Sequence, residues 1–331
     1  MSKNAAQRIV FTGRQQVELE DYPIPKASDG EVLIRTRCSL MSTGTENIVF
    51  NRLFDPGTHW DNWVKYPFYP GYAAVGDVIE SNIPNLPIGT FVTHRKGHCS
   101  HAVATASECV KVPSDVEPEE AAWFALAKIA FHGALVADYA LGDSVLVIGA
   151  GPIGQMSVRW AEVAGAAEIL VADTAAGRLK LAKSGGATLV IPEAIEFARE
   201  SILSSTGNRL PRVVIDSTGN ETVFAQALGL AADFGRVVIL GDTGRPAAQR
   251  LTNDVITRGL TVVGAHDGHN TPQWNLTTIT ELFLSLVSQG RFPLGGLKSH
   301  EFSPEDCGQA YETANKDRQT TMGLYFIWCS G

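Results

Sequence analysis

Short apolar runs occupy the first third of the chain at 8–12, 16–20, 31–37, 72–80, 90–94 and 108–112, the first three separated by Gly, Pro, Asp and Lys turns. Runs of this length between turn formers predict β-strands, so the segment reads as a β-rich domain. Residues 54–69 are aromatic and proline-containing and read as a long loop. The pattern changes at Glu117. Pro118-Glu119-Glu120-Ala121-Ala122 puts proline and acids where the first turn of a helix accepts them. Further on, apolar runs at 145–148, 169–172, 188–191, 213–216, 236–240 and 260–265 alternate with Ala/Leu/Glu-rich helical segments. Strands joined by helices predict a parallel, doubly wound α/β sheet. Residues 277–289 read as a helix and the apolar tail 322–328 as a strand. The chain shows no internal repeat, heptad or low-complexity segment.

One of these strands carries the sharpest signal. The run Ser144 to Ile148 leads straight into Gly149-Ala150-Gly151-Pro152-Ile153-Gly154, a helix is predicted over 155–165, and the next strand ends at Asp173, nineteen positions after Gly154. That is the strand, glycine turn, helix, strand and acid of a dinucleotide site. Gly149 allows the sharp turn, Gly151 lets a pyrophosphate approach the backbone, and Gly154 lets helix and sheet pack closely. Pro152 and Ile153 complete the turn. The helix N-terminus offers unpaired N–H groups and a positive dipole end to the phosphates. Asp173 can accept from both ribose hydroxyls and repels a 2′-phosphate, which points to NAD. Arg178, five residues on, is the one nearby group that could serve a 2′-phosphate instead.

Composition narrows the class. With 331 residues and 44% apolar content, the chain can bury the cores of about two domains. A net charge of −8 without any Lys/Arg run argues against a nucleic-acid surface. No stretch of about 18 apolar residues predicts a membrane span, and Met1 to Arg8 lacks an apolar signal core, so a cytoplasmic protein is expected. Cys38, Cys99, Cys109, Cys307 and Cys329 are scattered without a close pair, which suits reduced, buried thiols.

The order of β-rich domain, dinucleotide fold and return segment resembles the medium-chain dehydrogenase/reductase superfamily over nearly the whole chain. Gly30-Glu31-Val32-Leu33-Ile34-Arg35 is similar to its early Gly-Glu-Val-Leu-Val strand. Pro70-Gly71-Tyr72-Ala73-Ala74-Val75-Gly76-Asp77-Val78 resembles its Pro-Gly-His-Glu segment. Gly219 after Thr218, Gly241 after 237–240, and Phe302-Ser303-Pro304 with Ala310-Tyr311-Glu312 match later landmarks. The resemblance implies a GroES-like catalytic domain over 1–118, a Rossmann NAD-binding domain over 119–270 and a return segment over 271–331. It adds Thr218 and Gly241 to the cofactor-binding residues, to which His266 is added by its place beyond the last strand's carboxyl end, and it implies a homodimer or larger homo-oligomer.

The family's zinc pattern is missing. Where zinc-binding members have Cys before Gly-Ser/Thr-Asp, this chain has Met41-Ser42-Thr43-Gly44-Thr45-Glu46, and where they have Gly-His-Glu it has Gly71-Tyr72-Ala73. The structural zinc lobe of four cysteines is absent too. Zinc wants about three Cys, His or carboxylate ligands with an open position, so no metal is expected. The Ser-x-Gly-Thr-Glu form resembles a zinc-lacking branch that includes bacteriochlorophyllide-type dehydrogenases.

Without zinc to lower the alcohol's pKa, a positioned side chain must manage the proton, and the resemblance suggests where. Thr43 falls where the family has a Ser/Thr that hands the substrate proton on; it also reads as a turn residue. Glu46 lies near a relay position and is equally a helix-capping acid. Tyr72 replaces a zinc-ligand histidine and could donate a hydrogen bond to a carbonyl oxygen, or simply fill the emptied site. His94 falls at the end of a strand beside the substrate pocket and could act as acid or base; the alternative is an exposed polar loop. Arg95 or Lys96 could bind an anionic group. His94, His98 and His101 lie within eight residues, but alternation along a strand sends them to different sides. Lys128 interrupts an apolar helix, either as a cation standing in for the metal or as a lysine snorkelling to solvent. His266 follows the last strand, in a loop that could touch the coenzyme or be only an Asp/Gly/Asn turn.

These features predict an NAD-dependent, zinc-independent oxidoreductase moving hydride between a secondary alcohol, such as a sugar or polyol, and its ketone. Two alternatives stay open: a C=C (quinone or enoyl) reductase using NAD(P)H, and a catalytically degenerate NAD-binding protein.

Overall fold

A computed structural model describes residues 5–328; the first four residues and the Cys329 thiol lie outside them. The chain divides into two compact units, one of Met1–Ala125, Thr271–Gly290 and Gly295–Gly331, the other of Leu126–Asn270 with Arg291–Leu294. The division falls inside the helix Phe124–Ala137 rather than at residue 119.

The second unit is built on a six-stranded parallel sheet in the order Leu189–Ile191, Glu168–Ala172, Ser144–Ile148, Val213–Asp216, Arg236–Ile239, Thr261–Gly264. Its strands are unbroken apolar runs because both faces are covered. Leu146, Ile148, Leu170, Val214 and Val237 pack into one buried cluster, while Val145, Val147, Ile169, Val171, Val213 and Ile215 pack into another on the opposite face. The strand Ser144–Ile148 pairs with Glu168–Ala172 on one side and Val213–Asp216 on the other. The chain order therefore reverses beside it, and the glycine turn at its carboxyl end sits at the switch point where such sheets bind ligands.

The first unit holds a two-stranded ribbon, Ala5–Gly13 with Gln16–Pro23, and a seven-stranded sheet around the long strand Glu31–Leu40. That strand pairs antiparallel with Ala74–Ser81, His101–Thr105 and the return strand Gly323–Ile327. An aromatic core of Phe11, Trp60, Tyr311 and Phe326 fixes the helices Thr43–Asn51 and Cys307–Lys316.

Three elements differ from the sequence reading. The expected loop 54–69 contains the helix His59–Trp63, started by Thr58 accepting from the Asp61 N–H and anchored by buried Trp60. His101–Thr105 is a strand whose inward residues, Ala102 and Ala104, are too small to give an apolar run. Lys298–Phe302 is a strand at the sheet margin, pairing parallel with Gly323–Ile327, and needs few apolar residues there. The helical stretch Pro118–Ala137 is long and apolar enough to cross a bilayer by length and composition, contrary to the sequence reading, yet most of it is buried in the fold, as a core helix is.

Candidate coenzyme turn and polar cluster

At the end of Ser144–Ile148, Gly149 turns at φ +87°, and a Cβ there would stand 2.9 Å from Thr218 Cγ2. A Cβ on Gly154 would stand 1.9 Å from the Gly149 carbonyl oxygen. These two glycines are required by the protein's own packing. Gly151 is not: around its Cβ position the nearest group is the Arg178 guanidinium at 3.6 Å. A bare backbone with no protein atom closer than ordinary van der Waals contact is what an approaching diphosphate needs. Gly151 is also the N-cap of the helix Pro152–Val163, with no side chain capping it, so the N–H groups of Ile153 and Gly154 begin a helix whose positive end is unobstructed by a cap.

Asp173 stands at the end of the adjoining strand. Its Oδ2 accepts from the Ala150 N–H at 2.7 Å and its Oδ1 from the Ala175 N–H at 2.8 Å. A carboxylate accepts about four hydrogen bonds, so capacity for ribose hydroxyls remains. Thr218 and Gly241 build the neighbouring floor. Thr218 donates its hydroxyl to buried Asp216 at 2.6 Å, and a Cβ on Gly241 would meet the Gly219 nitrogen at 2.2 Å. Their visible work is packing and turn formation. His266 is exposed, with Nδ1 accepting from the Gly268 N–H at 3.0 Å, the geometry of a polar turn.

Lys128 does not snorkel. It is buried, its Nζ 3.0 Å from Asp267 Oδ1 and 3.3 Å from His132 Nε2. Burial, then the Lys128 charge, lowers the His132 pKa to about 4, so the imidazole is neutral and accepts from the ammonium. The lysine ties the 266–270 loop to its helix through the Asp267 carbonyl and carboxylate.

In the first unit the helix Thr43–Asn51 carries a buried carboxylate. Glu46 Oε1 accepts from the Ser42 N–H at 2.7 Å; its Oε2 accepts from the Tyr311 hydroxyl at 2.5 Å and lies 3.1 Å from His98 Nε2. On the far side of the ring, His98 Nδ1 is 2.7 Å from Ser39 Oγ, which accepts from Trp328 Nε1 at 3.0 Å. An indole N–H only donates. The Ser39 hydroxyl thus links Trp328 to His98 Nδ1, while His98 Nε2 faces the Glu46 carboxyl. Tyr311, its pKa raised by burial and the Glu46 charge, keeps its proton.

Glu46 also fixes Ser42, and Ser42 Oγ accepts from the Tyr72 hydroxyl at 2.5 Å, with Thr45 Oγ1 at 3.3 Å from the same phenol. The Arg95 guanidinium lies 5.1 Å from the Tyr72 ring centroid. Burial raises the Tyr72 pKa, so the phenol holds its proton. Thr43, the expected relay hydroxyl, is not among the groups at Tyr72; Ser42 and Thr45 are, because Thr43 leaves the first turn of the helix in another direction.

His94 ends the strand Phe91–His94, as expected from the sequence. It is fully buried rather than in an exposed loop, Nδ1 accepting from the Lys96 N–H and Nε2 lying 3.3 Å from Thr36 Oγ1. Burial lowers its pKa to about 3, which leaves the imidazole neutral near pH 7. Lys96 pairs with Glu108 at 2.6 Å. The three histidines keep separate company: His94 with Thr36, His98 with Glu46 and Ser39, His101 with Ser100. Ser39, Ser42, Thr45, His98 and Tyr311 are the polar residues of these contacts that the sequence analysis does not single out for a role.

Comparison with known proteins adds kinship. A family model described as zinc-binding dehydrogenase matches residues 152–282. The L-threonine 3-dehydrogenase of Bacillus velezensis is 31% identical, the match covering 90% of this chain and 92% of that protein. Sorbitol dehydrogenase of Bos taurus is 27% identical over 93% of this chain and 92% of its own. Among solved structures, an Escherichia coli oxidoreductase/dehydrogenase of unknown specificity superposes with a TM-score of 0.84 at 20% identity, covering 98% of this chain and 99% of the other, a likeness of fold.

Proposed function

The chain belongs to the zinc-binding dehydrogenase family of medium-chain dehydrogenases, and on that premise we propose that it is an NAD-preferring oxidoreductase that interconverts a secondary alcohol and its ketone without zinc. The single observation that carries the coenzyme reading is Gly151, bare where the fold itself leaves room for a side chain and placed at an uncapped helix N-terminus. Gly149, Gly151, Ile153 and Gly154 would hold the diphosphate and Asp173 the adenosine ribose. The nicotinamide, when bound, takes or gives the hydride.

Donor chemistry supports the absence of zinc from the mechanism. Where the family places its zinc ligands stand the Met41 thioether, the Tyr72 phenol and the Ala73 methyl, and burial keeps that phenol protonated. Zinc prefers thiolate, imidazole or carboxylate. Among the described residues no three His, Cys, Asp or Glu side chains converge. The proton then falls to the hydroxyl cluster. Tyr72, supported by Ser42 and Thr45, is suited to hydrogen-bond a substrate carbonyl oxygen and protonate the developing alkoxide. The threonine and sorbitol dehydrogenases among the relatives support a small hydroxylated substrate.

The strand Thr261–Gly264 leaves one side of the parallel sheet unpaired and has exposed residues at both ends. Ile256 and Leu251 nearby are exposed as well. An open edge flanked by apolar groups supports pairing with a second copy. The buried free thiols of Cys38, Cys99, Cys109 and Cys307 suit a reducing compartment, as in the cytoplasm.

Coenzyme choice is tested at Asp173. Asp173→Asn removes the charge that repels a 2′-phosphate while keeping one acceptor oxygen. The expected result is a fall of about tenfold in the preference for NAD over NADP, from kcat/KM with a polyol panel, equivalent to ~1.4 kcal/mol. Unchanged discrimination contradicts the assignment. NADPH-specific reduction of an enone, with no alcohol oxidised, would instead identify a C=C reductase, and no turnover in either assay a degenerate binding protein.

A further inference from the structure

The helix after the glycine turn contains a buried polar strut that coenzyme binding alone does not explain. Gln155 and Arg159 are 0% and 1% exposed. Arg159 Nη1 donates to Gln155 Oε1 at 3.0 Å and to the Gln155 carbonyl at 2.9 Å, and Arg159 Nε donates to the Pro293 carbonyl. Gln155 Nε2 in turn donates to the Ala150 and Arg178 carbonyls, each at 2.9 Å. A guanidinium only donates, so it fixes which end of the amide faces it and leaves the NH₂ for the carbonyls. Burial lowers the Arg159 pKa to about 10, yet the group stays charged at neutral pH. A buried cation held by carbonyls and an amide is an expensive way to fill space. Gly185 makes room for it, since a Cβ there would stand 2.5 Å from Nη1.

We propose that Gln155, locked by Arg159, is the positioning residue of the diphosphate-binding turn. The inference rests on the coenzyme reading above. The Ala150 carbonyl and the Gly151 N–H belong to one planar trans peptide and point in opposite directions. Gln155 pulls that carbonyl toward the helix, and Asp173 holds the Ala150 N–H on the preceding peptide. With both neighbours pinned, the Gly151 N–H is aimed away from the helix interior, on the side where the glycine is bare. The turn is thereby preorganised for an anion. Gln155 also joins the turn to the Arg178 backbone in the next helix, so Arg178 and the turn are held in one register.

The test uses the intact protein and binding rather than turnover. Gln155→Met keeps the length of the side chain and removes both hydrogen-bonding ends; Arg159→Lys keeps the charge and loses the fork. Dissociation constants are measured by calorimetry for NADH and ADP-ribose and by competition for adenosine. Gln155→Met is expected to weaken NADH and ADP-ribose about tenfold, Arg159→Lys by a smaller factor, with adenosine within twofold of wild type. Adenosine loosening in step with the diphosphates would mark a general structural loss and overturn the inference. So would wild-type NADH affinity in both variants. If the wild-type protein itself fails to bind NADH or ADP-ribose, the coenzyme reading falls and this inference with it; if it binds and the variants match it, this inference alone falls.

Discussion

Tyr72→Phe is expected to lower kcat for ketone reduction by at least about 10²-fold while leaving the KM for coenzyme unchanged. Loss of a positioned proton donor costs about 10²–10⁴-fold. Tyr72 is the phenol that Ser42 and Thr45 surround, and burial keeps it protonated. The substitution deletes one oxygen from an otherwise conserved shape. If Tyr72 only filled space left by missing metal ligands, phenylalanine would serve as well and kcat would hold. Thr45→Ala should show a smaller loss in the same direction, since it removes one neighbour of the phenol, and Thr43→Ala should stay close to wild type. Steady-state kinetics of the three variants on one ketone separates these outcomes. Equal losses at Thr43 and Thr45 would return the relay to the position expected from sequence.

Gly154→Ala is expected to abolish coenzyme binding in the accessible range, a loss of at least about 10²-fold, and to destabilise the second unit by about 1–3 kcal/mol. The added methyl would stand 1.9 Å from the Gly149 oxygen, inside any van der Waals contact, so the helix Pro152–Val163 has to move off the turn. Gly151→Ala is the control. Its methyl enters space where the nearest protein atom is 3.6 Å away, so thermal stability should hold while NADH binding weakens. The pair divides the roles of the glycines: one loss travels with the melting temperature and the other does not. Both variants melting like wild type and binding NADH equally well would contradict the coenzyme reading.

The second unit was readable in the sequence for a physical reason. Strands covered on both faces are continuous apolar runs, and the glycines at 149, 151 and 154 have few rival explanations when they sit between a strand and a helix. Strands that bury little were not readable: His101–Thr105 turns in only two alanines, and Lys298–Phe302 runs along the sheet margin. The polar cluster was half legible. Tyr72 and Glu46 stood out because they depart from a family pattern. Their partners did not, because Tyr311 lies 265 residues from Glu46 and Ser39 lies 59 from His98, distances over which no local spacing speaks. For His94 and Lys128 the sequence shows a titratable side chain but not whether its hydrogen-bonding capacity is already used inside the fold. Gln155 gave no signal, since an amide one residue past a glycine looks like any helical surface residue.

The most direct test is catalytic turnover of protein dialysed against a strong chelator, with bound metal quantified before the assay. The expected result is full alcohol–ketone interconversion with NAD(H) at substoichiometric zinc and no stimulation when zinc is added back. Activity that disappears on chelation and returns with one equivalent of zinc would contradict the assignment of the proton to Tyr72 and its hydroxyl neighbours.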